Sequence, residues 1–252
     1  PSATRHGRGR DARARRPMTN DNNSDDNSDD NSDDTSGDTS DGDLIDAGSR
    51  RHGWRAPRRP ASAELSMIAP RLIVSGELPG GWEEADAELR RWVESGVTDI
   101  VDVRIEADDR SVVAMLQPGL RYHRFPVQDD GRERSDGWFD AGTSAVLEAL
   151  DDPARCVLVH CAIGVNRSAS LAYAVMLASG RDAIEALDDI RRSRPIAVVL
   201  YAEDAVRWWH RRLGSDTAVV RREVERVHDW FARNVGQASW IIGRLDPVDP
   251  DG

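Results

Sequence analysis

The stretch His160-Cys161-Ala162-Ile163-Gly164-Val165-Asn166-Arg167-Ser168 decides the reading of this chain. It follows an apolar run, Val157-Leu158-Val159, and leads into Ala169-Ser170-Leu171-Ala172-Tyr173-Ala174-Val175-Met176. A cysteine thus stands where a short buried strand ends, and an arginine six residues on, where a helix begins. The five residues between them can wrap into a loop whose backbone N–H groups point inward. Such a nest at a helix N-terminus binds a dianion through oriented donors and the helix dipole, and the same field suits a thiolate nucleophile. Arg167 adds a planar fork of donors for two phosphate oxygens. Nucleophile, anion cradle and bidentate clamp together point to phosphoryl transfer onto sulfur. A buried structural cysteine would account for Cys161 but for neither Arg167 nor Gly164.

Working outward, the periodicity predicts alternating strands and helices. Leu72 to Val74, Val97 to Val103, Tyr122 to Val127 and Cys156 to Val159 read as strands. Between them, helices are expected over Trp82 to Glu94, with Leu89, Trp92 and Val93 inward, over Asp108 to Leu116 and over Trp138 to Leu150. After the loop come Arg167 to Ser179, ended by Gly180, then Asp182 to Arg192, Ala202 to Leu213 and Thr217 to Val235. This order predicts an α/β fold, a mostly parallel central sheet flanked by helices on both faces. Nucleophiles in such folds sit beyond the C-terminal ends of strands, where Cys161 falls.

The chain has 252 residues and a net charge of −11, and it contains no lysine. An acidic folded part argues against broad nucleic-acid or anionic-membrane partners. Residues 1–60 hold the repeat Asn-Ser-Asp-Asp at 23–26, 27–30 and 31–34, with little to bury, and are expected to be a disordered acidic tail. A catalytic domain is expected over 61–214 and a C-terminal helical extension over 215–252, packed on the domain, with a partner-binding helix as the alternative. Two cysteines five residues apart, Cys156 and Cys161, form no disulfide framework and suit a reducing cytoplasm. No bilayer-spanning apolar run and no signal pattern is read, so a soluble cytoplasmic protein is expected.

The nine residues 160–168 after an apolar strand resemble the signature loop of the cysteine-dependent protein phosphatases, H-C-x5-R-S/T. The dual-specificity subgroup matches best, over roughly 65–213. The resemblance implies a protein tyrosine phosphatase-like fold and a metal-independent hydrolysis, without cofactor, through a cysteinyl-phosphate intermediate. Cys161 would be the nucleophile. Ala162, Ile163, Gly164, Val165, Asn166 and Arg167 would bind the phosphoryl group. Ser168 would stabilise the departing thiolate. His160 would fix the loop and the cysteine by hydrogen bonding, or simply be a satisfied strand-end histidine. The family's general acid is an Asp after the strand that precedes the signature strand. Spacing after Val127 favours Asp129, with Asp130 the alternative and Asp102, inside a strand, a poorer one. The expected substrate is a phosphorylated protein or peptide, bearing phosphotyrosine and also phosphoserine or phosphothreonine. Other expectations are a phosphatase for an RNA 5′ end, a sugar phosphate or a metabolite, and a phosphate-binding module without turnover. The loop has no cation besides Arg167, which disfavours a multiply phosphorylated inositol. Relatives buttress the loop with an Asn shortly after an Arg-Pro pair, yet Ile196 to Tyr201 after Arg194-Pro195 contains none. Arg132 and Arg134, near the acid loop, read as solvated loop residues or, alternatively, as contacts for a phosphopeptide's acidic flanks.

Overall fold

In the strand before the loop, Val157 and Val159 belong to one face and Leu158 to the other, as the two-residue period of a strand requires. That alternation sets the layers of the whole molecule. The computed structural model describes residues 63–235. The expectations placed on 1–60 and on the end of the chain beyond 235 fall outside them.

The strands are β1 (Ser66–Ala69), β2 (Leu72–Ser75), β3 (Asp99–Arg104), β4 (Arg121–Val127) and β5 (Val157–His160). They form one sheet in the order β1-β2-β5-β3-β4. Four are mutually parallel, and β1 runs antiparallel to β2. The mostly parallel α/β sheet expected from the alternation is what forms, and β5 at its centre is buried along its full length. β1 is an addition that the periodicity did not show. It has four residues, with a register irregularity between Met67 and Ala69. β4 is an edge strand, which is where Pro126, having no N–H to donate, can be tolerated.

The helices are α1 (Trp82–Glu94), α2 (Arg110–Leu116), α3 (Asp136–Leu150), α4 (Arg167–Ala178), α5 (Ala183–Ser193), α6 (Ala202–Leu213) and α7 (Thr217–Asn234). One core joins Val101, Val103, Val157 and Val159 to α3, α4, α5 and α6; the other joins Ile73, Ile100 and Leu158 to Leu89 and Trp92 of α1 and Val113 of α2. Val93, expected inward, is 42% exposed, because the inward stripe of α1 runs through Ala85, Glu88, Leu89 and Trp92 instead. Glu88 is buried there because its Oε1 accepts from Trp92 Nε1 at 2.7 Å. Each large apolar side chain taken out of water in these layers contributes about 1.5–3 kcal/mol.

Local signals fix the helix ends. Asp182 and Asp216 cap α5 and α7, each accepting two backbone N–H bonds, and such caps are worth about 1 kcal/mol. Gly180 follows α4 at φ +84°, a left-handed conformation that glycine adopts without steric cost. α7 lies on α5 and α6 through Val227 and Trp230, and Trp230 Nε1 donates to Asp188 at 2.7 Å. Its described part, up to 235, is thus a packing element. No helix among the described residues is long and apolar enough to cross a membrane.

Candidate active site

β5 delivers Cys161 to the end of the sheet, and α4 begins six residues later at Arg167, with Asn166 at its N-cap position. Cys161 is 2% exposed. Its Sγ accepts from the Gly164 N–H at 3.2 Å and lies 3.2 Å from Ser168 Oγ. The loop tightens at Gly164, whose φ is +70°. A Cβ there would run into Arg194 Nη2 and stand 2.6 Å from Ser75 O, so the position accepts only glycine.

The loop is buttressed from behind, and not by the asparagine that relatives use. Arg194 itself does it, donating from Nε to Gly164 O, from Nη2 to Ile163 O at 3.0 Å and from Nη1 to Glu64 O at 2.8 Å and Ser66 Oγ at 3.1 Å. Asn166 does a related job from within the loop, its Oδ1 accepting from Leu200 N at 2.8 Å and Ser170 Oγ at 3.2 Å. The Glu77 N–H donates to Ala162 O at 3.1 Å.

Arg167 is 5% exposed, and its two terminal nitrogens meet Glu106 as a fork on a carboxylate, Nη1–Oε2 2.7 Å and Nη2–Oε1 2.6 Å. That hydrogen bonding holds the Glu106 carboxyl below its ordinary range. Nη1 also donates to Val127 O at 3.2 Å. Nε is buried without a hydrogen bond, 3.4 Å from Asp129 Oδ2. Glu106 went unnoticed in the sequence. A carboxylate just past the C-terminal end of β3, beside the strands that carry the site, is the signal that could have found it.

Of the two candidate acids, Asp129 lines the same cavity, about 30 Å³ in volume, as Cys161, Ala162, Ile163, Val165, Asn166 and Arg167. Asp130 points elsewhere, pairing with the Arg134 guanidinium and accepting from Arg132 N at 3.1 Å. The Arg132 N–H first, and the arginines after it, hold the Asp130 carboxyl below its ordinary range. Arg134 corrects an expectation. It is buried, not solvated, with Nη1 on Gln128 O at 2.7 Å and Nε on Arg132 O at 2.8 Å. Arg132 does remain exposed.

His160 is corrected too. Fully buried, it lies 5.6 Å between ring centroids from Trp92, and neither ring nitrogen has a hydrogen bond. Packing, not hydrogen bonding, holds it. Burial pushes its pKa down to about 4, against the pull of Asp102 with Oδ2 3.9 Å away. Asp102 is absorbed in a structural network, accepting from Arg104 Nη2 at 2.8 Å and Tyr122 OH at 2.6 Å. Asp102, Asp109 and His160 each bring a ligand atom within 4.8 Å of the others. The cation among them is the Arg104 guanidinium, bonded to both aspartates. A larger cavity, about 690 Å³, lies between the β1–β2 turn and the far end of α4, and neither Cys161, Arg167 nor Asp129 lines it.

Residues 84–200 match the family model of the dual specificity phosphatase catalytic domain. Over that stretch the chain is dual-specificity phosphatase-like. It is 26% identical over 149 residues to dual specificity protein phosphatase 2 of Mus musculus, covering 54% of this chain and 44% of that protein. It is 33% identical over 110 residues to dual specificity protein phosphatase 26 of Bos taurus, covering 43% and 51%. The chain thus spans about half the length of these curated relatives. In fold it is similar to human DUSP28, with TM-score 0.50 and 21% identity over 60% of this chain and 99% of that one. A mouse dual specificity phosphatase complexed with zinc tungstate gives TM-score 0.51 and 21% identity, over 64% and 94%.

Proposed function

We propose that the chain is a protein phosphatase that hydrolyses phosphotyrosine, and also phosphoserine and phosphothreonine, through a phosphocysteine at Cys161 and without a metal ion. The observation that carries this reading is the buried Arg167 Nε, a donor without a hydrogen bond beside a cavity shared by Cys161 and Asp129. In the first step the Cys161 sulfur attacks phosphorus. The S–P bond forms as the P–O bond breaks, and Asp129 gives its proton to the departing oxygen. In the second step the Asp129 carboxylate takes a proton from water as that water attacks phosphorus. The S–P bond then breaks and the sulfur leaves as thiolate, met by the Ser168 hydroxyl. Arg167 and the loop N–H groups stabilise the charge on the non-bridging oxygens in both transition states.

The test is hydrolysis of an aryl phosphate and of phosphotyrosine and phosphoserine peptides with a chelator present. Orthovanadate should inhibit. Cys161→Ser should abolish turnover and trap no phosphoenzyme, yet still bind phosphate esters, since the cradle is backbone and Arg167. Full activity in that variant would overturn the mechanism. Turnover confined to small non-peptide esters would redirect the substrate reading, and binding without turnover would make the chain a phosphate-binding module.

A further inference from the structure

The two oxygens of Asp129 live in different surroundings. Oδ1 accepts from Tyr201 OH at 3.0 Å and from Asn166 Nδ2. Oδ2 faces Arg167 Nε. Neither donor to Oδ1 is free to turn away. The Asn166 amide is oriented by its own Oδ1, which receives the Leu200 N–H, so its NH₂ must face Asp129. The Tyr201 oxygen accepts the Gly131 N–H at 3.3 Å, which directs its proton to Asp129. Burial, and then the Asp129 charge, push the Tyr201 phenol up to about 12, so it remains a donor across the working pH range.

The same tyrosine anchors the loop that carries the acid. The Arg134 guanidinium lies 4.5 Å above its ring while bonding Gln128 O and Arg132 O, and Arg134 N donates to Asp204 Oδ2 at 3.0 Å. Val199, just before Leu200 and Tyr201, has φ +56°. A β-branched residue is strained in that region and persists only where its surroundings over-determine it. Here the strained turn presents the Leu200 N–H to Asn166 and the Tyr201 hydroxyl to Asp129.

We infer that Tyr201 and Asn166 are positioning residues that divide the labour of Asp129. They fix Oδ1 as the acceptor, and the transferred proton rides on Oδ2. Two donors concentrate negative charge on Oδ1, so in the acid form hydrogen occupies Oδ2. That oxygen adjoins Arg167 Nε, where a phosphoryl oxygen would dock. As the substrate P–O bond breaks, the Oδ2–H bond breaks with it and the proton passes to the leaving oxygen, which keeps the bonding pair. The attacking water later returns a proton to Oδ2. This rests on the phosphatase reading above.

The experiment is a leaving-group series of aryl phosphates on the wild type, Tyr201→Phe, Asp129→Asn and the double variant, with melting temperatures alongside. Phenylalanine keeps the ring under Arg134 and removes only the hydroxyl. Loss of one hydrogen bond to a charged group should lower kcat/KM about ten-fold for phenyl phosphate and hardly at all for a dinitrophenyl ester. In the Asp129→Asn background the Tyr201 substitution should cost nothing further. An equal loss across the series, no loss anywhere, or a loss that persists without Asp129 would overturn the assignment while the phosphatase reading stands. A wild type inactive on every ester would overturn that reading, and this one with it.

Discussion

Arg194 donates from Nε to Gly164 O and from Nη2 to Ile163 O, so a side chain thirty residues further on holds the two carbonyls behind the loop. With those oxygens turned back, the Gly164 N–H faces the Cys161 sulfur at 3.2 Å. Arg194→Ala leaves buried acceptors unsatisfied and opens a cavity, which should cost about 3 kcal/mol in urea unfolding. Vanadate inhibition should weaken at the same time. Arg194→Lys keeps the charge without the fork and should fall between the two. Unchanged vanadate inhibition in Arg194→Ala would show that the loop keeps its shape unaided.

Gly164→Ala should be worse for activity than for folding. The new methyl meets Arg194 and the Ser75 carbonyl, and the backbone at φ +70° disfavours any side chain. We expect a loss of about 1–3 kcal/mol in stability and at least about a hundred-fold in kcat, since a displaced Gly164 N–H no longer reaches Cys161 Sγ. Steady-state rates and circular dichroism on the same preparation separate the two.

Asp129→Asn should slow phosphotyrosine hydrolysis by about 10²–10⁴-fold, whereas Asp130→Asn should remain within a few-fold of wild type. Asp130 is spent on Arg132 and Arg134 and lies outside the cavity that Asp129 shares with Cys161. Reversed results would place the acid one residue later.

The pH dependence of stability should carry the mark of His160. Folded, it titrates at about 4; unfolded, near 6.5. Between those values the unfolded chain binds a proton that the folded chain refuses, so stability is complete above about pH 6.5 and declines as the pH falls toward about 4. The ceiling is about 3 kcal/mol. Asp109 and Asp204, raised by burial, oppose this in part. Urea unfolding at several pH values in that window, on wild type and His160→Gln, checks it: the variant's curve should be flatter.

Trp230→Ala tests α7. Trp230 is 4% exposed and bonded to Asp188, so truncation should cost about 3–5 kcal/mol. kcat on an aryl phosphate, well below the melting temperature, should be unchanged. A large loss of kcat would tie this helix to the site.

The parts of the fold written in local periodicity could be read from the sequence. The strand-loop-helix from Val157 to Met176 is legible on its own, because cysteine, glycine and arginine each hold a position that the local geometry demands. The choice of Asp129 rested on spacing within one loop, and the shared cavity supports it. What escaped was non-local. Glu106 meets Arg167 across 61 residues and Tyr201 meets Asp129 across 72, and no repeat of two or 3.6 residues encodes such a meeting. Arg134 read as solvent-facing because a charge in a polar loop ordinarily is; here the carbonyls of its own loop replace water. β1 escaped because a four-residue strand with one irregular pair is too short for alternation to show.

Cys156 and Cys161 lie on opposite layers of the sheet, one packed with Leu158 and Trp92, the other with Val159 and the helices beyond. An odd separation along an extended segment makes this unavoidable. The chain holds no third cysteine, and burial pushes the Cys156 thiol up, away from reactivity. An oxidant that converts Cys161 to the sulfenic acid therefore finds no resolving thiol within the fold. Recovery from peroxide would then depend on thiols supplied from solution.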